Sequence, residues 1–253
     1  MRRKKGREIY PINEFAFHGL SNSSVSLYKG IIIRFQKSKL SPSDFIQSAH
    51  RRSTAKVRVA ALTRLLGRTI DCKLPAQKKR LPVFLSSTEI NQLIVKLQGN
   101  KKILLATLYY TGMRISEALS VRKEDAWQSI TSGFLKINGK GDRERVITIP
   151  ERLKKIWKGD KVNSPYLLHD AEGNQLNLRT AQRWISSLSA EEGKAISPHC
   201  IRHSFAVALL EQQAPLFYIK EKLGHASINT TQIYLHLRDS FEKKLDKRYL
   251  NNL

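Results

Sequence analysis

Two prolines, Pro75 and Pro82, bracket the polar basic run Ala76-Gln77-Lys78-Lys79-Arg80-Leu81 and divide the chain. Proline fixes its own φ, lacks a backbone donor and pushes the residue before it towards extended backbone, so residues 71–83 read as a linker and not as helix. The halves on either side differ in kind. Residues 1–80 hold 19 of the 45 Lys and Arg but only 4 of the 21 Asp and Glu, which is +15 of the chain's +24. The expected organisation is therefore a small basic helical domain over 1–70 with a flexible N-terminal tip, a linker over 71–83, and a larger domain over 84–253 with a C-terminal tail.

A positive excess of this size repels itself unless a polyanion answers it, and nucleic acid is the usual partner. Ribosomal RNA or an anionic membrane satisfies the same charge, but an amphipathic basic helix with bulky aromatics, as a membrane surface requires, is not found. No apolar stretch approaches the roughly 20 residues of a membrane span. The basic tip from Met1 to Arg7 is followed by Glu8 and Pro11 instead of an apolar run, so it does not read as a signal peptide. Cys72 and Cys200 are the only cysteines, show no metal-ligand spacing, and fit a reducing cytosol. A cytoplasmic, non-membrane protein is expected.

The basic half predicts helices over 23–37 and 52–67. In the second, Val57, Ala60, Ala61 and Leu65 share a face, while Arg58, Arg64 and Arg68 lie largely on others. Arg51, Arg52, Lys56 and Arg58, with Lys78, Lys79 and Arg80 of the linker, are the candidate DNA contacts; a solvated basic face is the plainer alternative. Beyond the linker, Ser86-Ser87-Thr88-Glu89 spells a capping box opening a helix over 87–98. Further helices are expected over 101–110, 114–121, 179–192, 198–213, 215–223 and 227–236. Between them, residues 134–149 switch to a period of two around Gly139-Lys140-Gly141-Asp142, which predicts a β-hairpin. The fold class is mainly α, a small helical N-terminal domain plus a mixed α+β domain with a small antiparallel sheet.

Four places carry chemistry. In Ser197-Pro198-His199-Cys200-Ile201-Arg202-His203, Ser197 caps a helix and Pro198 opens it, putting His199 and Arg202 on one face of the first turns. Backbone N–H groups, helix dipole and guanidinium fork together seat a phosphate, although a capped helix with two surface polar residues has the same spelling. His203 turns away from that face and reads as structural. Arg114 follows the Gly112 break and either pairs locally with Glu117 or points inward as a second fork; spacing does not decide. Lys140 tops the hairpin between two glycines, where it either merely solvates the turn or delivers a proton. Tyr234 lies about two turns past His225, which sits in a connection after Gly224; an aromatic between Ile233 and Leu235 is ordinarily a core residue.

The ordered set Arg114, Lys140, His199-x-x-Arg202, His225, Tyr234 resembles the signature of the tyrosine recombinase (phage integrase) family, nearest to its bacterial Xer-type members. The carriers are Thr-Gly-Met-Arg-Ile-Ser-Glu, Gly-Lys-Gly, Ser-Pro-His-x-x-Arg-His-Ser-Phe-Ala and Leu-Gly-His-Ala-Ser-Ile-Asn-Thr-Thr-Gln-Ile-Tyr, with gaps of 23 from Arg202 to His225 and nine from there to Tyr234. The likeness spans roughly residues 84–238. The N-terminal module is shorter than the family's usual four- or five-helix core-binding domain, and the tail after Tyr234 is short.

The resemblance implies a DNA strand transferase. Tyr234 attacks the scissile phosphate and forms a 3′-phosphotyrosine, conserving the bond energy so that rejoining needs no ATP. Arg114 and Arg202 clamp the equatorial oxygens, His199 takes the tyrosine proton or holds an oxygen, His225 donates a hydrogen bond, and Lys140 protonates the departing 5′-oxygen. Glu117 orients its neighbours from behind. No metal or other cofactor is implied, because two arginines and a lysine supply the charge. The implied partners are double-stranded DNA with paired recombination sites, a homotetramer in the synapse or a related recombinase, and accessory DNA-binding proteins. The stripe Phe241, Leu245, Leu250, Leu253 is expected to dock on a neighbouring protomer or on its own domain. Related strand-transfer enzymes (type IB topoisomerases, telomere resolvases) use similar residues, and an idle DNA-binding protein of the same fold is the non-enzyme alternative. Charge of this size predicts that DNA affinity falls steeply between about 50 and 200 mM salt; a filter-binding or anisotropy titration showing no such slope contradicts it.

Overall fold

The computed structural model describes residues 17–76, 83–138 and 144–224. The chain divides into two compact units, residues 1–80 and 81–253. Among the described residues no helix is long and apolar enough to cross a membrane.

The first unit holds α1 (Asn22–Ser38), α2 (Pro42–Gln47) and α3 (Arg52–Leu66). Ser21 caps α1 and Ser41 caps α2, each accepting a backbone N–H two or three residues into its helix. Ile31, Phe35, Phe45, Ile46, Ala55, Ala61 and Leu62 form the core, in which the Phe35 and Phe45 rings meet at 5.4 Å. The short α2 was not expected, although Ser41-Pro42 spells its start. The inward face of α3 also differs from expectation: Ala55, Ala61 and Leu62 are buried, while Val57, Ala60 and Leu65 are only half-buried.

In the second unit, α4 (Ser87–Lys96) begins with the full capping box, Ser86 and Glu89 exchanging hydrogen bonds. Lys194 donates to Glu89 at 2.5 Å, and this bond, with the Ser86 amide, holds the Glu89 carboxyl down at about 2. Helix α5 (Gly99–Thr111) is apolar on nearly every side and runs through the core, as the continuous burial from Ile103 to Tyr109 requires. Helices α4, α6 (Ile115–Ser120), α8 (Glu151–Lys158), α9 (Leu178–Ser187) and α11 (Pro198–Glu211) pack around it. Strands β1 (Phe134–Asn138) and β2 (Glu144–Thr148) pair antiparallel, Phe134 opposite Thr148 and Asn138 opposite Glu144, and turn Leu135, Ile137 and Ile147 inward. The expected turn residues Gly139–Asp142 lie outside the described residues. Helix α12 (Leu216–Leu223) rests on α11 through Ile219 and Leu223.

Two helices of this unit escaped the sequence reading. In α7 (Lys123–Ser132) only Ala126 and Ser129 are buried, so no apolar stripe announces it; Glu124 and Asp125 at its start and Gly133 at its end are its local signals. In α8 the inward residues are just Leu153 and Trp157, one turn apart. The single helix expected over 179–192 is two, broken at Leu188, after which α10 (Ser189–Glu192) follows. There the Ser189 hydroxyl accepts the Ile196 N–H at 2.9 Å and ties down the approach to α11. The helix expected over 227–236 and the apolar stripe at Phe241, Leu245, Leu250 and Leu253 lie outside the described residues.

Trp157 is fully buried, and its indole N–H donates to the buried Thr107 hydroxyl of α5 at 3.0 Å. Trp157→Ala is expected to cost about 3–5 kcal/mol by the cavity it leaves. Trp157→Phe should cost less, losing mainly the hydrogen bond. Equilibrium urea unfolding followed by circular dichroism measures both, and equal losses would contradict the cavity argument.

Candidate active site

The turn after α5 is built by its own side chains. Thr111 Oγ1 donates to Thr107 O at 2.5 Å and accepts the Met113 N–H at 3.2 Å, while the Gly112 N–H closes on Leu108 O. Gly112 takes φ +63°, and a Cβ there would lie 2.4 Å from Cδ1 of Phe205. Both the left-handed backbone and the close approach of α11 demand glycine. The turned carbonyl of Gly112 then faces Arg202, whose Nη1 donates to it at 2.6 Å.

Arg202 is 6% exposed. Its Nη2 donates to Leu223 O, the last residue of α12, so one guanidinium joins the ends of two helices. Ser197 caps α11 by accepting the Cys200 N–H, and Pro198 opens it, as its spelling predicts. His199 lies exposed in that first turn, three residues before Arg202. His203 is half-buried; burial first, then the nearby charges of His199 and Arg202, pushes its imidazole below the ordinary value.

Arg114 is the N-cap of α6, not its first helical residue. Its backbone N–H donates to Glu117 Oε2 at 2.7 Å and its Nη1 to Glu117 Oε1 at 2.8 Å. The same guanidinium also reaches inward, Nη2 donating to Gly224 O at 3.2 Å. The local pairing is thus realised, and the guanidinium makes a long-range bond to the Gly224 carbonyl besides. Arg114 and Arg202, remote in sequence, are held by the consecutive carbonyls of Leu223 and Gly224.

Glu117 is 5% exposed and receives a second guanidinium, that of Arg145 on β2, with Nη1 to Oε1 at 2.9 Å and Nη2 to Oε2 at 2.8 Å. Burial pushes the Glu117 carboxyl up, but the hydrogen bonds from Arg145 and Arg114 outweigh it and hold the group below the ordinary carboxylate value. Sequence reasoning missed Arg145. Its signal was the hairpin's period: inward Ile147 puts Arg145, two residues earlier, on the same buried face, where an arginine needs an acidic partner.

Lys140, His225 and Tyr234 lie outside the described residues, as do Lys78, Lys79 and Arg80. In the first unit Arg51 and Lys56 are exposed. Arg52 donates to Pro75 O at 3.2 Å. Arg58 turns inward: it stacks over the Phe45 ring at 4.3 Å and donates to Phe45 O and, at 2.7 Å, to Ser48 Oγ, closing the end of α2. Burial, then the nearby Arg34 charge, lowers its pKa.

The fold that brings these two arginines together is a known one. The structure is similar to the crystal structure of the XerA recombinase, with a TM-score of 0.58 at 22% identity, covering 93% of this chain and 95% of that one. It is similar also to the Tn1549 transposon integrase in complex with transposon right end DNA, with a TM-score of 0.70 at 14% identity, covering 94% and 97%. The fold is that of the tyrosine recombinases. Residues 83–240 match the phage integrase family, and the chain belongs to that family. It is 31% identical over 201 residues to the tyrosine recombinase XerD of Oceanobacillus iheyensis, a match covering 72% of this chain and 66% of the relative. It is 36% identical over 186 residues to the tyrosine recombinase XerA of Pyrococcus horikoshii, covering 68% and 64%. The matches thus span about two thirds of the length of these relatives.

Gly112→Ala is expected to destabilise the protein by about 2–4 kcal/mol, adding left-handed strain to overpacking against Phe205. Thermal unfolding measures it; a loss under about 1 kcal/mol would mean that the turn tolerates a side chain.

Proposed function

We propose that this chain is a site-specific tyrosine recombinase that cleaves and rejoins DNA strands through a covalent 3′-phosphotyrosine at Tyr234. The observation that carries the reading is the joint anchoring of Arg202 and Arg114 on the carbonyls of Leu223 and Gly224, directly before His225 and the run to Tyr234. An array of this kind suits an oxyanion. Preorganised donors act most strongly where charge develops in the transition state, and carbonyl anchoring fixes both guanidinium groups in place beforehand.

A free tyrosine hydroxyl titrates at about 10, so Tyr234 needs a base or a positive field to attack. Its oxygen bonds to phosphorus as the bond to the 5′-oxygen breaks. The tyrosine proton passes to His199, exposed at the start of α11. The leaving 5′-oxygen takes a proton from Lys140, and Arg114, Arg202 and His225 hold the non-bridging oxygens. Reversal of the same steps by another strand's 5′-hydroxyl rejoins the DNA, and no step runs through a metal or ATP. The DNA is double-stranded and carries paired sites, held by a tetramer of this chain or of this chain with a related recombinase, with accessory DNA-binding proteins where the sites call for them. The basic first unit grips the duplex as a core-binding domain. Arg51, at the N-cap of α3, and Lys56 within it are its exposed candidates, with Lys78, Lys79 and Arg80 beyond the helix. Arg58 and Arg52 spend donors within the unit and are weaker candidates.

The test is a nicked suicide duplex, built on a site recovered from bound genomic fragments, incubated with wild type and Tyr234→Phe. A covalent protein–DNA adduct is expected from wild type without added metal, and none from the variant. Specific binding with no adduct from either protein would sink the proposal and leave a DNA-binding protein of the same fold.

A further inference from the structure

Beyond the residues this mechanism uses, we infer that Arg145 is a positioning residue of the reaction centre. By gripping Glu117 from the inner face of the hairpin, it keeps that carboxylate from neutralising Arg114 and locks Arg114 against the Gly224 turn. The inference rests on the recombinase reading for the reaction it serves; the geometry stands by itself.

The charge count is the core of the argument. Glu117 is 5% exposed, so its partners and not water set the local field. With Arg114 alone it forms a neutral pair, which offers little to a phosphate. Arg145 adds a second guanidinium to the same carboxylate, occupying both oxygens, and the three groups together keep a net positive charge. Geometry agrees with electrostatics. Arg145 stands opposite Ile137 on the buried face of the sheet, where an apolar residue would serve packing alone. Its path crosses Gly224: a Cβ there would lie 2.9 Å from Nη1 and 3.1 Å from Cζ. One side chain thereby connects the hairpin that leads to Lys140 with Gly224, the helix end that anchors Arg114 and immediately precedes His225. Its Nε, moreover, is buried without a hydrogen-bond partner among the described residues. An unmade bond of this sort is destabilising, and such imperfections gather at functional centres.

A residue that only filled space or braced the fold would not depend on the Glu117 charge, and this separates the two roles. The experiment measures the first-order rate of adduct formation on the suicide duplex at saturating DNA. The proteins are wild type, Arg145→Lys, Arg145→Met, Glu117→Gln and the double variant Arg145→Met/Glu117→Gln, each checked by thermal melting. Arg145→Met is expected to slow the step about 10–100-fold, as loss of a supporting partner typically does, with duplex affinity changed less than about threefold. Arg145→Lys should fall between, keeping the charge but not the two-pronged grip. The double variant should be roughly tenfold or more faster than Arg145→Met, because removing the carboxylate's charge removes the need for its counterweight. An Arg145→Met rate within twofold of wild type, a loss confined to affinity, or a double variant no faster than the single overturns the inference. If Arg145→Met does not fold, the lysine and double variants decide, and a lysine variant at the wild-type rate overturns it. No adduct from wild type is a different failure: the recombinase reading falls and takes this inference with it.

Discussion

Glu117 is a carboxylate buried among helices, and the surrounding geometry is what allows it to stay ionised. Taking such a group out of water costs several kcal/mol, and removing one partner from a buried pair typically costs about 3–5 kcal/mol. Four hydrogen bonds from Arg114 and Arg145 answer that cost. The consequence runs outward from the carboxylate. It sets the start of α6 by holding the Arg114 amide, orients the Arg114 guanidinium, and draws the hairpin against the helical body.

The helix ends around it work in the same direction. Carbonyls at the end of a helix lack partners within it, and elsewhere water or a cap satisfies them. Here the turns after α5 and α12 offer theirs to arginines, Gly112 O and Leu223 O to Arg202 and Gly224 O to Arg114. Glycine at 112 and 224 lets the backbone take the left-handed turn that ends each helix and lets Phe205 and Arg145 approach closely. The two guanidinium groups are thus placed by where helices stop, and α5, apolar on nearly all sides, runs through the core between those stops.

The first unit divides its positive charge between two uses. Arg58 spends its planar face on Phe45 and its donors on the end of α2, a packing role open to a guanidinium because it stacks and is weakly hydrated. Arg51 at the N-cap of the same helix and Lys56 within it stay in solvent. A net charge read from composition counts all of these alike, and only their placement separates a fold-supporting arginine from one open to a polyanion.

Legibility in the sequence followed the range of the forces involved. The capping box at Ser86–Glu89, the Ser197-Pro198 start of α11, the hairpin and the apolar α5 rest on local spacing, and each was readable from it. Helices α2, α7 and α8 were not, because each buries only two residues and leaves too short a stripe to register as periodic. Leu188 splits a helical pattern in a place where no glycine or proline warns of it. The order and identity of Arg114, Glu117, His199 and Arg202 were determined by sequence alone, since motif spacing survives without coordinates. Tertiary structure alone decided that Arg114 both pairs with Glu117 and reaches Gly224, that Arg202 bridges two helix ends, and that Arg145 belongs with them. Apart from the local Arg114–Glu117 pair, those contacts join residues distant along the chain, and a guanidinium's partners depend on which backbone ends the packing of α5, α11 and α12 brings within about 3 Å of it.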